Sequence, residues 1–323
     1  MIVVTGGAGF IGSAIIYELN RRGVTDIWVV DSVDHPEKEK NLAPLTFQEF
    51  RDKDQFLWDV STRALKGVKT IFHMGACSST TETNETYLRE NNFEYTRELA
   101  TFALENDIRF IYASSAATYG DGKEGYSDDE SALETLKPLN LYGESKQMFD
   151  LWARKQGILD RIVGLKYFNV YGPNEYHKGD MQSLVRKGFQ QIQETGKIRL
   201  FKSYKPEYGD GEQVRDFIYI QDAVAVTMFF LDHMMTGGIF NIGTGVARNW
   251  NDLANSIFAA MGREPCIEYI DMPESIRSQY QYHTCAEMGK IRKAGYDRPI
   301  LPLEDGIKDY VQNYLTPGKH LGE

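Results

Sequence analysis

At 323 residues, 42% hydrophobic and 25% charged, the chain is long enough for a large core and has the make-up of an ordinary globular protein. With 36 Lys and Arg against 46 Asp and Glu its formal charge is −10, which argues against general affinity for nucleic acid or an anionic membrane. The 3 cysteines (Cys77, Cys266, Cys285) and 6 scattered histidines show no disulfide framework and no metal-ligand spacing.

Met1 runs directly into Ile2-Val3-Val4 with no basic leader, and the apolar run Ala223 to Leu231, broken by Thr227, is far short of a membrane span. A cytoplasmic protein with reduced thiols is expected. In chain order, Ile2 to Thr5, Ile27 to Val30, Phe56 to Trp58, Thr70 to Met74 and Phe110 to Ser114 read as buried strands. Between them Ile11 to Arg22 and Thr86 to Asn106 carry apolar residues at helical spacing, and a helix over about Leu141 to Gln156 precedes a sixth strand at Ile162 to Phe168. Strands alternating with helices predict an α/β fold: a Rossmann-type, doubly wound parallel sheet covered on both faces.

Beyond Tyr171 the pattern turns irregular, punctuated by Gly172-Pro173 and the stretch Tyr208 to Glu212. Asp222 reads as the cap of a buried helix, and Phe240 to Gly243 as a short strand. The expected organisation is a dinucleotide-binding domain over 1–170, with a segment of about 215–240 returning to it. Residues 171–323 then form mainly a smaller substrate-binding lobe.

Gly6-Gly7-Ala8-Gly9-Phe10-Ile11-Gly12 follows the first strand and opens the first helix. Gly6 allows the tight turn, Gly9 lets backbone approach a pyrophosphate, and Gly12 lets helix and strand pack closely. The free N–H groups of the helix start then face the anion. Asp31, closing the second strand, is positioned to bind ribose hydroxyls. The charged loop Asp34 to Lys40, with Lys38 in it, and Lys53 complicate that reading, since a lysine beside the 2′-position favours a 2′-phosphate. Lys-Glu alternation also describes a solvated surface, so spacing leaves NAD and NADP equally open.

Tyr142 and Lys146 stand four apart on one helix face. A neighbouring ammonium is expected to lower the phenol's pKa so that it works as a general base. Ser114-Ser115 ends the preceding strand, where active sites of open parallel sheets lie, and a serine there can hydrogen-bond the reacting oxygen and share its proton.

Thr5 to Gly12, His73-Met74-Gly75-Ala76, Ser115 and the Tyr142/Lys146 pair together resemble the extended short-chain dehydrogenase/reductases. More closely, Gly75 to Thr81, Tyr112 to Gly120, Tyr167 to Pro173, His177-Lys178-Gly179 and Arg215-Asp216-Phe217 resemble the ADP-L-glycero-D-manno-heptose 6-epimerase family of nucleotide-sugar epimerases, over nearly the whole chain. The resemblance implies a second acid/base at Lys178, acting opposite Tyr142. It implies oxidation at C6″ to a transient ketone and return of hydride to the other face, a step in making lipopolysaccharide core heptose. It also favours NADP, with NAD as the alternative, and implies a homo-oligomer, a pentamer among the candidates.

Implied cofactor contacts are Phe10, Ile11, Asp31, Ser32, Lys38, Lys53, Gly75, Ala76, Cys77, Ser78, Lys146, Val170 and one of Asn91 and Asn92. Implied substrate contacts are Asn169, Asp180, Lys187, Phe201, Lys202, Ser203, Tyr204, Arg215 and Tyr280, with Arg215 and Lys187 suited to a diphosphate. Asp180 stands where the family commonly has serine, and Lys205 to Val214 is longer than the family pattern. A UDP-hexose 4-epimerase would share Ser115, Tyr142 and Lys146 but would not need Lys178. A 4,6-dehydratase generally wants an acidic pair where Ala116-Ala117 stand. A non-catalytic NADP-binding sensor would typically lack the Tyr/Lys pair.

Overall fold

In the computed structural model, which describes residues 1–32, 35–277 and 280–323, the chain runs β1 (Ile2–Thr5), α1 (Phe10–Arg21), β2 (Ile27–Asp31), α2 (Pro36–Leu42), β3 (Glu49–Asp52), α3 (Lys53–Ser61) and β4 (Thr70–His73). It continues through α4 (Glu85–Leu88), α5 (Tyr95–Glu105), β5 (Arg109–Ser115), α6 (Leu141–Lys155), β6 (Val163–Tyr167) and β7 (Asn169–Tyr171). Then follow α7 (Leu184–Thr195), β8 (Ile198–Phe201), β9 (Val214–Tyr219), α8 (Ile220–Asp232), β10 (Gly238–Ile242), β11 (Ala247–Asn249), α9 (Trp250–Ala260) and β12 (Ile267–Ile270). Short helices α10 (Glu274–Arg277), α11 (Gly289–Lys293) and α12 (Leu303–Asp309) complete it.

Seven strands form one sheet in the order β10-β6-β5-β4-β1-β2-β3, and every pair in it is parallel. Chain direction across the sheet reverses between β1 and β4, so a crevice opens at their carboxyl ends, the usual place for a ligand in an open α/β sheet. Strand residues alternate between two cores: Val4 packs with α1 and α8 on one face, Val3 with α3 and α5 on the other. Smaller sheets, β11-β9-β7 and the parallel pair β12-β8, lie in the C-terminal half. The segment 214–242 crosses between them: β9 pairs with β7, while β10 becomes the edge strand beside β6.

Two expectations are corrected. Phe56 to Trp58 is not a strand but part of α3, where Phe56 and Val60 are buried one turn apart while Trp58 is 65% exposed. Asp52 caps this helix by accepting from the Asp54 N–H at 2.9 Å. The strand is Glu49–Asp52, a polar edge with Arg51 stacked on Trp28 at 3.8 Å, so it carries no apolar run to betray it. Asp222 does not cap α8 either: the helix starts at Ile220, and the Asp222 carboxylate accepts from the Leu301 N–H at 3.0 Å.

The helical stretch predicted over Thr86 to Asn106 is present, but Arg89–Glu94 within it is a π-helical turn. Such turns often mark functional positions, and this one sets Asn91 and Asn92 in different environments. Among the described residues no helix is long and apolar enough to cross a membrane, and no cluster of His, Cys, Asp and Glu could hold a metal.

Candidate active site

A cleft of about 920 Å³ runs along the carboxyl ends of β1, β2, β4 and β5 and beneath the segment following β7. Its floor is the glycine loop. Gly6 holds φ at +64°, and a Cβ there would lie 2.6 Å from the Gly75 nitrogen; one on Gly12 would lie 2.1 Å from the Gly6 carbonyl oxygen. The N–H groups of Phe10, Ile11 and Gly12 precede the first intrahelical bond, from the Ser13 N–H to the Gly9 carbonyl (3.0 Å), and all three residues line the cleft. A bare-backbone cradle with unclaimed N–H donors and a helix start fits the pyrophosphate of a dinucleotide.

Asp31 closes one end. One of its oxygens accepts from the Ala8 N–H at 2.9 Å; the other accepts from the Ser32 N–H at 2.8 Å and pairs with the Lys38 amine at 3.3 Å. Lys38 also donates to the Ser32 carbonyl at 3.0 Å. Lys53 lines the same end and donates to Asn91 at 2.9 Å. Asp34 lies outside the described residues. Asn91 therefore faces the cleft. Asn92, 1% exposed, instead holds the loop after β4 by bonds to the Cys77 N–H (2.8 Å) and carbonyl (2.9 Å). Under this loop His73 is buried between the Thr5 and Thr96 hydroxyls at 2.6 and 2.8 Å, and burial drives its pKa down to about 3.

At the centre stand Ser115, Tyr142 and Lys146, all in the cleft wall. Asn140 caps α6 through the Gly143 N–H at 2.9 Å, which points the first turn, with Tyr142, at the end of β5. Ser115 hydrogen-bonds the phenol and accepts from the Ala117 N–H at 3.1 Å. The lysine-lowered phenol expected from the sequence is not produced by the chain alone. Burial pushes Tyr142 above its ordinary value, with the Ser115 bond working against it, and the Lys146 amine is engaged with the Ala113 carbonyl at 2.8 Å. Burial also lowers Lys146 to about 8, opposed by the negative charge of Asp150.

Behind these three lies a network that the sequence reading missed. Asp150, one turn beyond Lys146, accepts from Tyr112 (2.8 Å) and Ser114 (2.7 Å) and pairs with the fully buried Lys166 at 3.0 Å. It ties α6, β5 and β6 together at the ends that carry Ser115 and Lys146. A lysine in the middle of the apolar run Ile162 to Phe168 was the available signal, since such a charge needs a partner.

Across the cleft, the short 3-10 segment Tyr176–Met181 brings Lys178 into the wall with its amine 5.3 Å from the centre of the Phe10 ring. Burial lowers this amine from its ordinary value, while the charge of Glu175 raises it. Asn169, Val170 and Asp180 line the same stretch, as does His177 of the His-Lys-Gly motif; Gln182 and Ser183, which the sequence did not single out, join them. Lys187 does not line the cleft; it donates to the Asp180 carbonyl from an exposed position.

The remaining predicted substrate residues form an adjoining cluster, not the cleft wall itself. Arg215 stacks on Trp250 (5.5 Å) and Tyr280 (5.1 Å) and donates to the Gln281 carbonyl. Phe201 meets Tyr280 edge-on at 6.3 Å, while Lys202 and Tyr204 both reach Asp271 at 3.2 Å. Ser203 belongs to the turn there, accepting from the Lys205 N–H at 3.2 Å. Trp250 and Gln281 belong to both, lining the cleft and contacting Arg215, so the cluster is one side chain away from it. The long stretch Lys205 to Val214 packs on this cluster through Lys205 and Tyr208 against Tyr282.

Residues 2–243 match the family described as the NAD dependent epimerase/dehydratase family. The chain belongs to that family, and is an enzyme working with a nicotinamide dinucleotide. Among its relatives, the ADP-L-glycero-D-manno-heptose-6-epimerase of Nitratidesulfovibrio vulgaris (strain Hildenborough) is 52% identical over 325 residues, covering 98% of each chain. The enzyme of the same name from Fusobacterium nucleatum is 46% identical over 326 residues, again covering 98% of each. The crystal structure of Helicobacter pylori ADP-L-glycero-D-manno-heptose-6-epimerase matches with a TM-score of 0.81 at 28% identity, covering 97% of this chain and 95% of that one. The resemblance read from the sequence motifs is borne out over nearly the full length.

Proposed function

We propose that the chain interconverts ADP-D-glycero-D-manno-heptose and ADP-L-glycero-D-manno-heptose at C6″, with residues 1–170 holding mainly NADP and 171–323 mainly the nucleotide sugar. The observation that carries this reading is that two proton-carrying side chains, Tyr142 from α6 and Lys178 from the Tyr176–Met181 segment, line one cleft above a dinucleotide cradle. When bound, an oxidised nicotinamide would supply the hydride acceptor, and once reduced the hydride donor, together with a positive charge.

In this reading Tyr142, with Ser115 sharing its hydrogen bond, takes the proton of the C6″ hydroxyl as the C–H bond breaks. The sugar then exists transiently as a ketone. When the ketone has turned, its oxygen faces the opposite side, and Lys178 gives it a proton as hydride returns to the other face; proton exchange between turnovers then restores the phenolate and the ammonium. Two orientations of one oxygen call for two proton donors. Both amine and phenol are partly withdrawn from water, which limits their proton exchange with bulk solvent during the reaction. Lys146 orients the cofactor ribose, and Asn169 and Asp180 meet sugar hydroxyls. Arg215 and the rings around it take the nucleotide end.

The proposal for NADP over NAD rests on Lys38. A carboxylate that already accepts two N–H groups and pairs with an ammonium is poorly placed to reserve itself for a ribose diol. That same ammonium is a strong donor to a 2′-phosphate. The test is incubation of the purified enzyme with each ADP-heptose epimer and with UDP-galactose, followed by product separation and mass analysis of the retained nucleotide. Interconversion of the ADP-heptoses alone, with NADP retained, is expected. Conversion of UDP-galactose would make the enzyme a 4-epimerase, and NADP binding without any isomerisation would make it a sensor.

A further inference from the structure

The segment from Gly172 to Ser183 leaves β7, carries His177, Lys178 and Asp180 along the cleft, and returns to begin α7. Beneath it lies Glu175, 1% exposed, a buried carboxylate to which the chemistry above gives no task. At the start of the segment it accepts from the Gly172 N–H at 3.4 Å; at the end it accepts from the Ser183 hydroxyl at 2.7 Å and from the Ser183 N–H. Ser183 in turn caps α7 through the Arg186 N–H at 3.3 Å. One carboxylate therefore fastens both feet of the excursion. In its middle, the Lys178 N–H donates to the Glu175 carbonyl at 3.0 Å, so residue 175 also starts the turn that carries the amine.

We propose that Glu175 is a positioning residue for Lys178, its buried carboxylate fixing both the place of the amine over the cofactor loop and the amine's charge. The inference rests on the reading of Lys178 as a proton-exchanging group. Both oxygens of the carboxylate accept, one from the Gly172 N–H and the Ser183 hydroxyl and the other from the Ser183 N–H, so a neutral amide, with one acceptor oxygen, loses part of the clamp as well as the negative charge. Burial pushes the Lys178 amine down, and the Glu175 charge is what opposes it. In the other direction, burial pushes Glu175 up, and the Ser183 bonds and Lys178 oppose that.

Other charged or titratable groups stand around the pair. Tyr310 faces Glu175 from the Tyr310–Leu315 segment, and Arg186 of α7 stacks on Tyr176 at 5.2 Å. On the outer side His320 meets Tyr176 edge-on and contacts Glu37 at 3.2 Å.

The test uses the full-length enzyme with its nucleotide and follows ADP-heptose epimerisation against pH in Glu175→Gln, Glu175→Asp, Ser183→Ala and Lys178→Met. In Glu175→Gln we expect kcat to fall about tenfold or more with KM little changed and the nucleotide retained. The limb of the pH profile governed by Lys178 should move down while the Tyr142 limb stays, because the amine loses the negative charge that raises it. Glu175→Asp should restore that limb without restoring full turnover. Ser183→Ala, which removes one bond of the clamp and the α7 cap but keeps the Glu175 carboxylate, should lower kcat by a few-fold and move the Lys178 limb less than Glu175→Gln does; it serves also if Glu175→Gln fails to fold.

Wild-type turnover and limbs in Glu175→Gln, or wild-type turnover in Ser183→Ala, overturn the inference provided Lys178→Met is inactive. Full activity in Lys178→Met overturns the Lys178 reading itself. The two failures are thereby separable.

Discussion

The two halves of the cleft are built by different means. The cofactor half is assembled from strand ends and backbone: Gly6 against Gly75, the Ala8 N–H on Asp31, and the Ala8 carbonyl held by Asn41 at 3.0 Å. The sugar half is assembled from side chains on distant stretches, with the Gly172 to Ser183 segment on one side and Arg215 stacked between Trp250 and Tyr280 on the other. Backbone geometry tolerates no added atom and little variation. A side-chain assembly can be altered piece by piece. Substitutions in the sugar half should therefore change turnover or specificity and leave nucleotide binding alone, whereas those in the cofactor half should register in the nucleotide.

The largest expected effect lies where the halves meet. Tyr142→Phe removes the phenol oxygen but keeps the ring, so kcat should fall by about a thousandfold while the retained nicotinamide dinucleotide, measured by mass, stays near the wild-type amount. Loss of the nucleotide together with the activity would assign Tyr142 to the cofactor half and blur the division.

The same contrast governs what the sequence could reveal. The glycine loop, Asp31, Ser115, Tyr142 and Lys146 were legible because a strand end, a turn and a helix start follow one another locally. Apolar periodicity located β1, β2, β4, β5, β6 and α6 for the same reason. Strand β3 was not legible, since its Glu-Phe-Arg-Asp edge is half solvated and lacks an apolar run. The partners of Arg215 were not legible either, because stacking on Trp250 and Tyr280 depends on how β9, α9 and the chain near residue 280 converge. Lys178 was found only through family resemblance, and Glu175 not at all, for a buried acid and a surface acid look alike in sequence. The choice between Asn91 and Asn92 waited on the π-turn, which a helical repeat does not disclose.

A smaller effect should appear in acid. His73 lies under the cofactor half with both ring nitrogens on hydroxyls, and burial lowers its pKa to about 3 from an ordinary 6.5. Because the folded value is depressed, the unfolded chain binds the proton first as pH falls. Stability from this residue is complete above about pH 6.5 and is lost progressively down to about 3. Between pH 7 and 5 the loss should be about 2 kcal/mol, using about 1.4 kcal/mol per pKa unit. In urea unfolding, His73→Gln should lose that much less over the same interval. Parallel losses in variant and wild type would remove His73 as the source of acid sensitivity in the cofactor half.

The smallest effect tests how far the cofactor half extends. Lys38 sits on α2, outside the glycine loop, yet its amine reaches both the Asp31 carboxylate and the Ser32 carbonyl. If that amine meets a 2′-phosphate, Lys38→Glu deletes a charge-assisted bond to NADP and adds a second negative charge beside Asp31. NAD, which has no phosphate there, loses neither a bond nor a counter-charge. Titration of the apo-enzyme with each nucleotide should then show NADP weakened roughly tenfold more than NAD, the worth of one charge-assisted hydrogen bond. Equal weakening would mean that Lys38 only steadies Asp31 and the loop around it. Nucleotide choice would in that case rest with Lys53, whose hold on Asn91 from the neighbouring helix is the other cationic contact at this end of the cleft.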